Sequence, residues 1–232
     1  MTTFVLIHGA GDSGWYWHLV EAELRARGHD TVSPDVPVDG STLTECADSI
    51  AETVGNTDAP VAVVGQSFAG FIAPLVAERM PTDVLVLVAG MIPTPGEAPD
   101  DWWEHTGYSE AVREQAAIDG GLTGNEDPLV TFFHDVPRPV ADEAMRRGRD
   151  GSISGLDQAW PLDAWPAVPT RYVLCTEDRF FPPAFSRRLV DERLGIVPDE
   201  IEAGHCVALS RPVELADLLE DGSDPVKKES TR

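Results

Sequence analysis

The chain has almost no lysine: Lys227 and Lys228, close to its end, are the only two. It sets 40 acidic residues against 17 basic ones, for a formal net charge of -23. Such a chain repels phosphate backbones and anionic headgroups, which excludes nucleic acid and an anionic membrane as partners and disfavours anionic substrates. The plain reading of the charge is solubility or adaptation to salt. Cysteine is scarce as well. Cys46, Cys175 and Cys206 are an odd number, far apart and without metal-ligand spacing, as expected of reduced thiols in a cytosolic protein. No apolar run approaches the roughly 18 residues a membrane span needs. The start "MTTFVLIHGAG" has no basic segment before its short apolar run, so the expectation is a cytoplasmic protein.

What is present is a globular pattern. The 232 residues are 42% hydrophobic and 25% charged, enough for a sizeable core in one α/β domain. Short apolar runs alternate with helix-like segments, the rhythm of a mostly parallel sheet covered on both faces. Strands are expected at Thr3 to Ile7, Thr31 to Ser33, Val61 to Val64, Val84 to Val88, Arg171 to Cys175 and Glu200 to Glu202. Helices are expected near Trp15 to Arg27, Thr42 to Val54, Phe68 to Arg79, Pro183 to Leu194 and Pro212 to Glu220, with Thr42 and Glu45 as a capping box.

Residues 92–167 break the rhythm with many prolines, no long apolar strand and the tryptophans Trp102, Trp103, Trp160 and Trp165. They read as a cap inserted over the carboxyl edge of a core made of residues 1–91 and 168–220. Its aromatics, with Tyr108, Phe132 and Phe133, either line a pocket or form the cap's own small core, and both readings stay open. Residues 221–232 read as a polar, disordered tail.

One short stretch raises a chemical question. In "VAVVGQSFAG", Gly65 stands two residues before Ser67, Ala69 two after and Gly70 three after. This is a slightly degenerate G-x-S-x-G, with Ala69 supplying the small side chain that a sharp strand-to-helix turn needs. Such a turn lifts the serine hydroxyl above the sheet. A plain serine-capped βα turn would read the same way, so the motif needs partners.

A serine hydroxyl is a weak nucleophile unless an imidazole takes its proton and a carboxylate holds that imidazole. "VLCTEDRFFPP" places Asp178 after one late strand and "IEAGHCVALSRP" places His205 after the last. Glu177 competes with Asp178, and His8, His18, His29, His105 and His134 compete with His205; only His205 follows a late strand. In "LIHGAGDSGWYW" the loop after the first strand is positioned to supply an oxyanion donor, so the backbone N–H groups of Ala10 and Phe68 are the expected pair. Gly9, Gly11 and Gly14 also fit the spacing of a dinucleotide fingerprint, with Asp35 following Gly14 by 21 residues. That rival leaves Ser67, Asp178 and His205 unexplained.

With "HGAGDSGWYW", "GQSFAG", "EDRFFPPAF" and "GHCVALSRPVELADLL" in this order, the chain resembles the α/β-hydrolase superfamily over most of its length. More narrowly it resembles the branch of plant methyl-ester esterases and hydroxynitrile lyases. The resemblance implies an α/β-hydrolase fold with Ser67 as nucleophile, His205 as base and Asp178 as its orienter. It also implies a small hydrophobic carboxylic ester as substrate, an acyl-enzyme intermediate, and no metal or cofactor. The lyases of the branch have threonine after the first-strand histidine and lysine after the catalytic one; here Gly9 and Cys206 stand there, which favours hydrolysis. A cofactor-free lyase and a small-ligand receptor on the same scaffold are the alternatives, and a homodimer stays open.

Overall fold

A computed structural model describes residues 1–223. In chain order it runs β1 (Thr3–Ile7), α1 (His18–Ala26), β2 (Asp30–Val32), β3 (Asp39–Thr42), α2 (Leu43–Val54), β4 (Val61–Gln66), α3 (Ala73–Ala77) and β5 (Val84–Val88). The segment expected as a cap follows with α4 (Trp102–His105), α5 (Tyr108–Asp119), α6 (Pro128–Thr131), α7 (Arg138–Arg147) and β6 (Ser152–Ser154). The chain then returns to the core through β7 (Thr170–Cys175), α8 (Pro183–Leu194), β8 (Asp199–Ile201), α9 (Val207–Ser210) and α10 (Pro212–Ser223).

Six strands form one parallel sheet in the order β2-β1-β4-β5-β7-β8. Because both faces are covered, its central strands are apolar throughout, with alternate residues feeding opposite sides. Val5 and Ile7 pack with Ile50 of α2, Leu75 of α3 and Leu189 of α8. Phe4 and Leu6 pack with Leu24 of α1 and Leu215 and Leu219 of α10. Parallel pairing puts the carboxyl ends of β1, β4, β7 and β8 along one edge. The order departs in both directions from β1, which opens a crevice at that edge.

The structure refines the expected elements. Thr42 caps α2: its hydroxyl accepts from the Glu45 N–H at 3.2 Å while Glu45 accepts from the Thr42 N–H at 2.8 Å. The expected helix from Trp15 begins as a 3₁₀ turn, Gly14–Trp17, and the one from Phe68 as another, Ser67–Phe71, followed only by the short α3. β3 and β6 pair as a separate parallel ribbon that the sequence pattern did not show, since neither has an apolar run. Helix α10 reaches Ser223, into the segment expected as tail; from residue 224 that expectation lies outside the described residues.

Residues 92–167 are fastened to the core by buried polar contacts. Arg193 of α8 holds Glu97 through two bonds of 2.6 and 2.8 Å. The Trp102 indole donates to the Ile92 carbonyl at 3.1 Å, and that of Trp160 to the Phe71 carbonyl at 3.0 Å. Trp102 and Trp160 are thus core residues, whereas Trp103, Phe132 and Phe133 line a cavity.

Candidate active site

Ser67 sits where β4 ends and the 3₁₀ turn begins, with φ at 51°. A non-glycine residue with positive φ is uncommon and is held only where its surroundings over-determine it. Those surroundings are tight. A Cβ on Gly65 would stand 2.7 Å from the Ala73 Cβ and 2.9 Å from the Ala69 carbonyl oxygen, and one on Gly70 would overlap the Met91 carbonyl. The Met91 N–H donates to the Ser67 carbonyl at 2.9 Å. Both glycines are therefore required by close approach of backbone rather than by their own dihedrals, with the segment after β5 pressed onto the turn.

The loop after β1 lies beside this turn, since a Cβ on Gly9 would meet the Gln66 side chain and stand 3.1 Å from the Ser67 Cβ. Burial lowers the His8 pKa and keeps its ring neutral; Nε2 accepts from the Val36 N–H at 3.0 Å, so Nδ1–H donates to the Gly9 carbonyl at 2.8 Å. The Asp12 N–H donates to the Gly9 carbonyl across a turn with Gly11 at φ 75°. The glycines at 9 and 14 and the acid at 35 have local reasons. A Cβ on Gly14 would overlap the Ser33 carbonyl, and Asp35 accepts from the Gly14 N–H at 2.7 Å. The fingerprint spacing is used within the chain itself. Ala10 and Phe68 come together at the cavity that also holds Ser67. Among the described residues the Ala10 N–H has no acceptor, and Phe68 stands in the first turn of the 3₁₀ segment, where backbone N–H groups lack an intrahelical partner.

His205 and Asp178 arrive from the ends of β8 and β7. His205 Nδ1 and Asp178 Oδ2 are 2.7 Å apart, and the other carboxylate oxygen accepts from the Phe180 and Phe181 N–H groups at 2.7 and 2.9 Å. Glu177 is exposed, and the carboxylate that His205 meets is that of Asp178. The remaining histidines have structural partners: His18 bonds the Trp15 carbonyl, His29 accepts from the Thr2 N–H, His105 meets Glu97, and His134 meets the Glu177 carbonyl.

Asp135 and Gln66 carried no signal in the sequence, and the structure gives His134 and Cys206 their surroundings. Asp135, in the loop between α6 and α7, accepts from the Gly204 N–H at 2.8 Å, and a Cβ on Gly204 would stand 2.6 Å from its Oδ1. With His134 on the Glu177 carbonyl, the loop between α6 and α7 braces both loops that carry Asp178 and His205. Gln66 donates from its amide to the His205 carbonyl at 3.4 Å. Cys206, beside the imidazole, is buried, and burial pushes its thiol well above the ordinary range, so it offers no charge.

Ser67 and His205 open onto a cavity of about 340 Å³ whose walls include Phe132, Phe133, Phe180, Trp103 and Met145. A second cavity of about 360 Å³ shares Gly9, Ala10, Gly11 and Phe68 with it and adds Val38, Ile153 and Arg149. Among the described residues no group of His, Cys, Asp and Glu is arranged to hold a metal ion.

The family model described as the Alpha/beta hydrolase family matches residues 4–218. Norfluorocurarine synthase 1 from a Strychnos species is 23% identical over 256 residues, 96% of each chain. Methylesterase 7 of Arabidopsis thaliana is 24% identical over 257 residues, covering 95% of this chain and 96% of that one. The crystal structure of polyneuridine aldehyde esterase matches with a TM-score of 0.79 at 24% identity, over 97% of this chain and all of that one. The match to the family model spans nearly the whole described core, so the chain belongs to the alpha/beta hydrolase family.

Proposed function

We propose that the protein is a serine carboxylesterase acting on small, largely hydrophobic esters. The observation that carries this reading is the 2.7 Å contact between His205 Nδ1 and Asp178, with His205 and a strained Ser67 both lining one apolar cavity. His205 Nε2 removes the Ser67 proton as Oγ attacks the ester carbonyl, and the N–H groups of Ala10 and Phe68 hold the resulting oxyanion. Collapse of that intermediate breaks the bond to the alcohol oxygen, which takes the proton from His205 and departs, leaving the acyl group on Ser67. Water, deprotonated by the same imidazole, then attacks the acyl carbonyl and frees the acid. Asp178 fixes the tautomer that leaves Nε2 unprotonated at the start and stabilises the imidazolium. The esterase names among the relatives support hydrolysis, and the size of the cavity suits a small ester.

Burst and steady-state hydrolysis of p-nitrophenyl acetate and butyrate by the wild type and Ser67→Ala tests this. Turnover with an acyl burst in the wild type and none in the variant is the expected result. Equal rates in the two proteins, or no turnover in either, overturn it.

A further inference from the structure

The cavity at Ser67 holds one carboxylate that the mechanism above does not use. Asp12 is half-buried in its wall, and its side chain makes no hydrogen bond or ion pair with any described residue. The loop that carries it is fixed, pinned by the turn at Gly11 and by Asp35 on the Gly14 N–H. Asp12 is near enough to His205 for their charges to interact. Around that imidazole stand three aromatic rings, Phe180 at 5.0 Å, Phe181 at 5.3 Å and Phe132 at 5.5 Å between centroids. No lysine or arginine side chain lines the cavity. Arg149, whose N–H bonds the Gly11 carbonyl, sends its guanidinium away to the Val36 carbonyl and Asp35.

The cavity wall that carries this carboxylate also carries Trp103, Phe132, Phe133 and Phe180, and an unpaired carboxylate sharing a pocket with aromatic rings is the chemistry that recognises an ammonium group. The departing alcohol takes its proton from His205, so the side of the cavity shared by Asp12 and His205 receives the alcohol part of the substrate. We propose that Asp12, with the aromatic rings that line the same cavity, binds an ammonium group carried by that alcohol, so that the preferred substrates are esters of amino alcohols. The inference rests on the esterase reading for the side of the scissile bond, but not for the ammonium site itself. The net charge of -23 attracts the same class of ligand over longer range.

Burial raises the Asp12 carboxyl to about 7, and His205 partly opposes the rise. The groups facing it are His205, Tyr16 and Cys206, and burial holds the last two neutral, well above their ordinary values. Arg147 on the cap side stacks over Trp15 and pairs with Glu143. A permanently charged ligand should therefore bind better above pH 7 than below it.

The test compares acetylcholine with 3,3-dimethylbutyl acetate, the same shape with carbon in place of nitrogen, at pH 6 and pH 8. At pH 8 the wild type should show kcat/KM at least about tenfold higher for the charged ester, the size expected of a desolvated cation against a carboxylate and aromatic faces. The ratio should shrink at pH 6, and Asp12→Asn should remove most of it at both pH values while Asp12→Glu retains part. A wild-type ratio near one at pH 8 overturns the proposal whether or not any variant folds, as does a ratio that survives Asp12→Asn. If neither ester is turned over, calorimetry with choline and 3,3-dimethylbutanol separates the two ideas. Choline binding that Asp12→Asn abolishes sinks only the esterase reading; no choline binding sinks the ammonium site.

Discussion

His205 Nδ1 and Asp178 Oδ2 lie 2.7 Å apart, with both side chains almost wholly buried. Glu177, one residue away, is exposed. The Phe180 and Phe181 N–H groups, gripping the other Asp178 oxygen, stop the carboxylate from swinging off the imidazole.

Asp178→Asn keeps the shape of that contact but presents an amide, which can hold the imidazole in the wrong tautomer. The expected result is a fall in kcat of about 10³ to 10⁴, with KM little changed, by analogy with the same change in well-studied triads. Glu177→Gln should stay within about twofold of the wild type, because a surface substitution away from the site perturbs it little. A comparable loss in both variants would place the orienting acid elsewhere.

Gly70→Ala tests the packing of the turn rather than its chemistry. The added methyl would overlap the Met91 carbonyl, which is itself tied through the Met91 N–H to Ser67. Backbone cannot yield as the end of a side chain can, so the loss should be about 3 kcal/mol or more in urea denaturation, at the upper end for an overpacked core. Wild-type stability in this variant would mean that the segment after β5 is free to move away from Ser67.

Asp12 also makes a pH signature in stability. Its folded-state carboxyl titrates at about 7 against an ordinary value of 3.8, so between these the folded chain holds a proton that the unfolded chain has lost. Stability therefore falls as pH rises from about 4 through about 7 and then levels. Asp12→Asn carries no such proton. Its melting temperature relative to the wild type should climb across that window and stay higher at pH 8; a constant difference from pH 4 to pH 8 would contradict the buried, unpaired state of the carboxylate.

Much of the fold was legible in the sequence, because the signals involved are local. An apolar run of five or six residues such as "TFVLI" or "VLVLV" specifies a strand buried on both faces, and Thr42 with Glu45 specifies a helix start, whatever surrounds them. Ser67, Asp178 and His205 could be singled out because each follows an expected strand. Parallel strands necessarily present their carboxyl ends at one edge. The expectation for Ala10 and Phe68 followed the same logic.

Other features depended on which loops pass near one another, and local pattern does not encode that. Asp178 is preferred over its neighbour Glu177 with no packing reason in the sequence; the path of the loop after β7 supplies one, burying the first and exposing the second. Gly9, Gly14 and Asp35 matched a nucleotide-binding spacing until the structure placed the Ser33 carbonyl and the Gly14 N–H against them. Trp102 and Trp160 could not be told from Trp103 before their indoles found the Ile92 and Phe71 carbonyls. Asp12 and Asp135 belong to no motif that sets them apart from the other acids of a strongly acidic chain. The sequence by itself determined the sheet and the order of the three residues along its edge, since periodicity and turn chemistry act over a few neighbours. Only the tertiary structure decided which acid meets His205 and what lines the cavity, because burial is a property of long-range packing and a carboxylate's behaviour follows its burial.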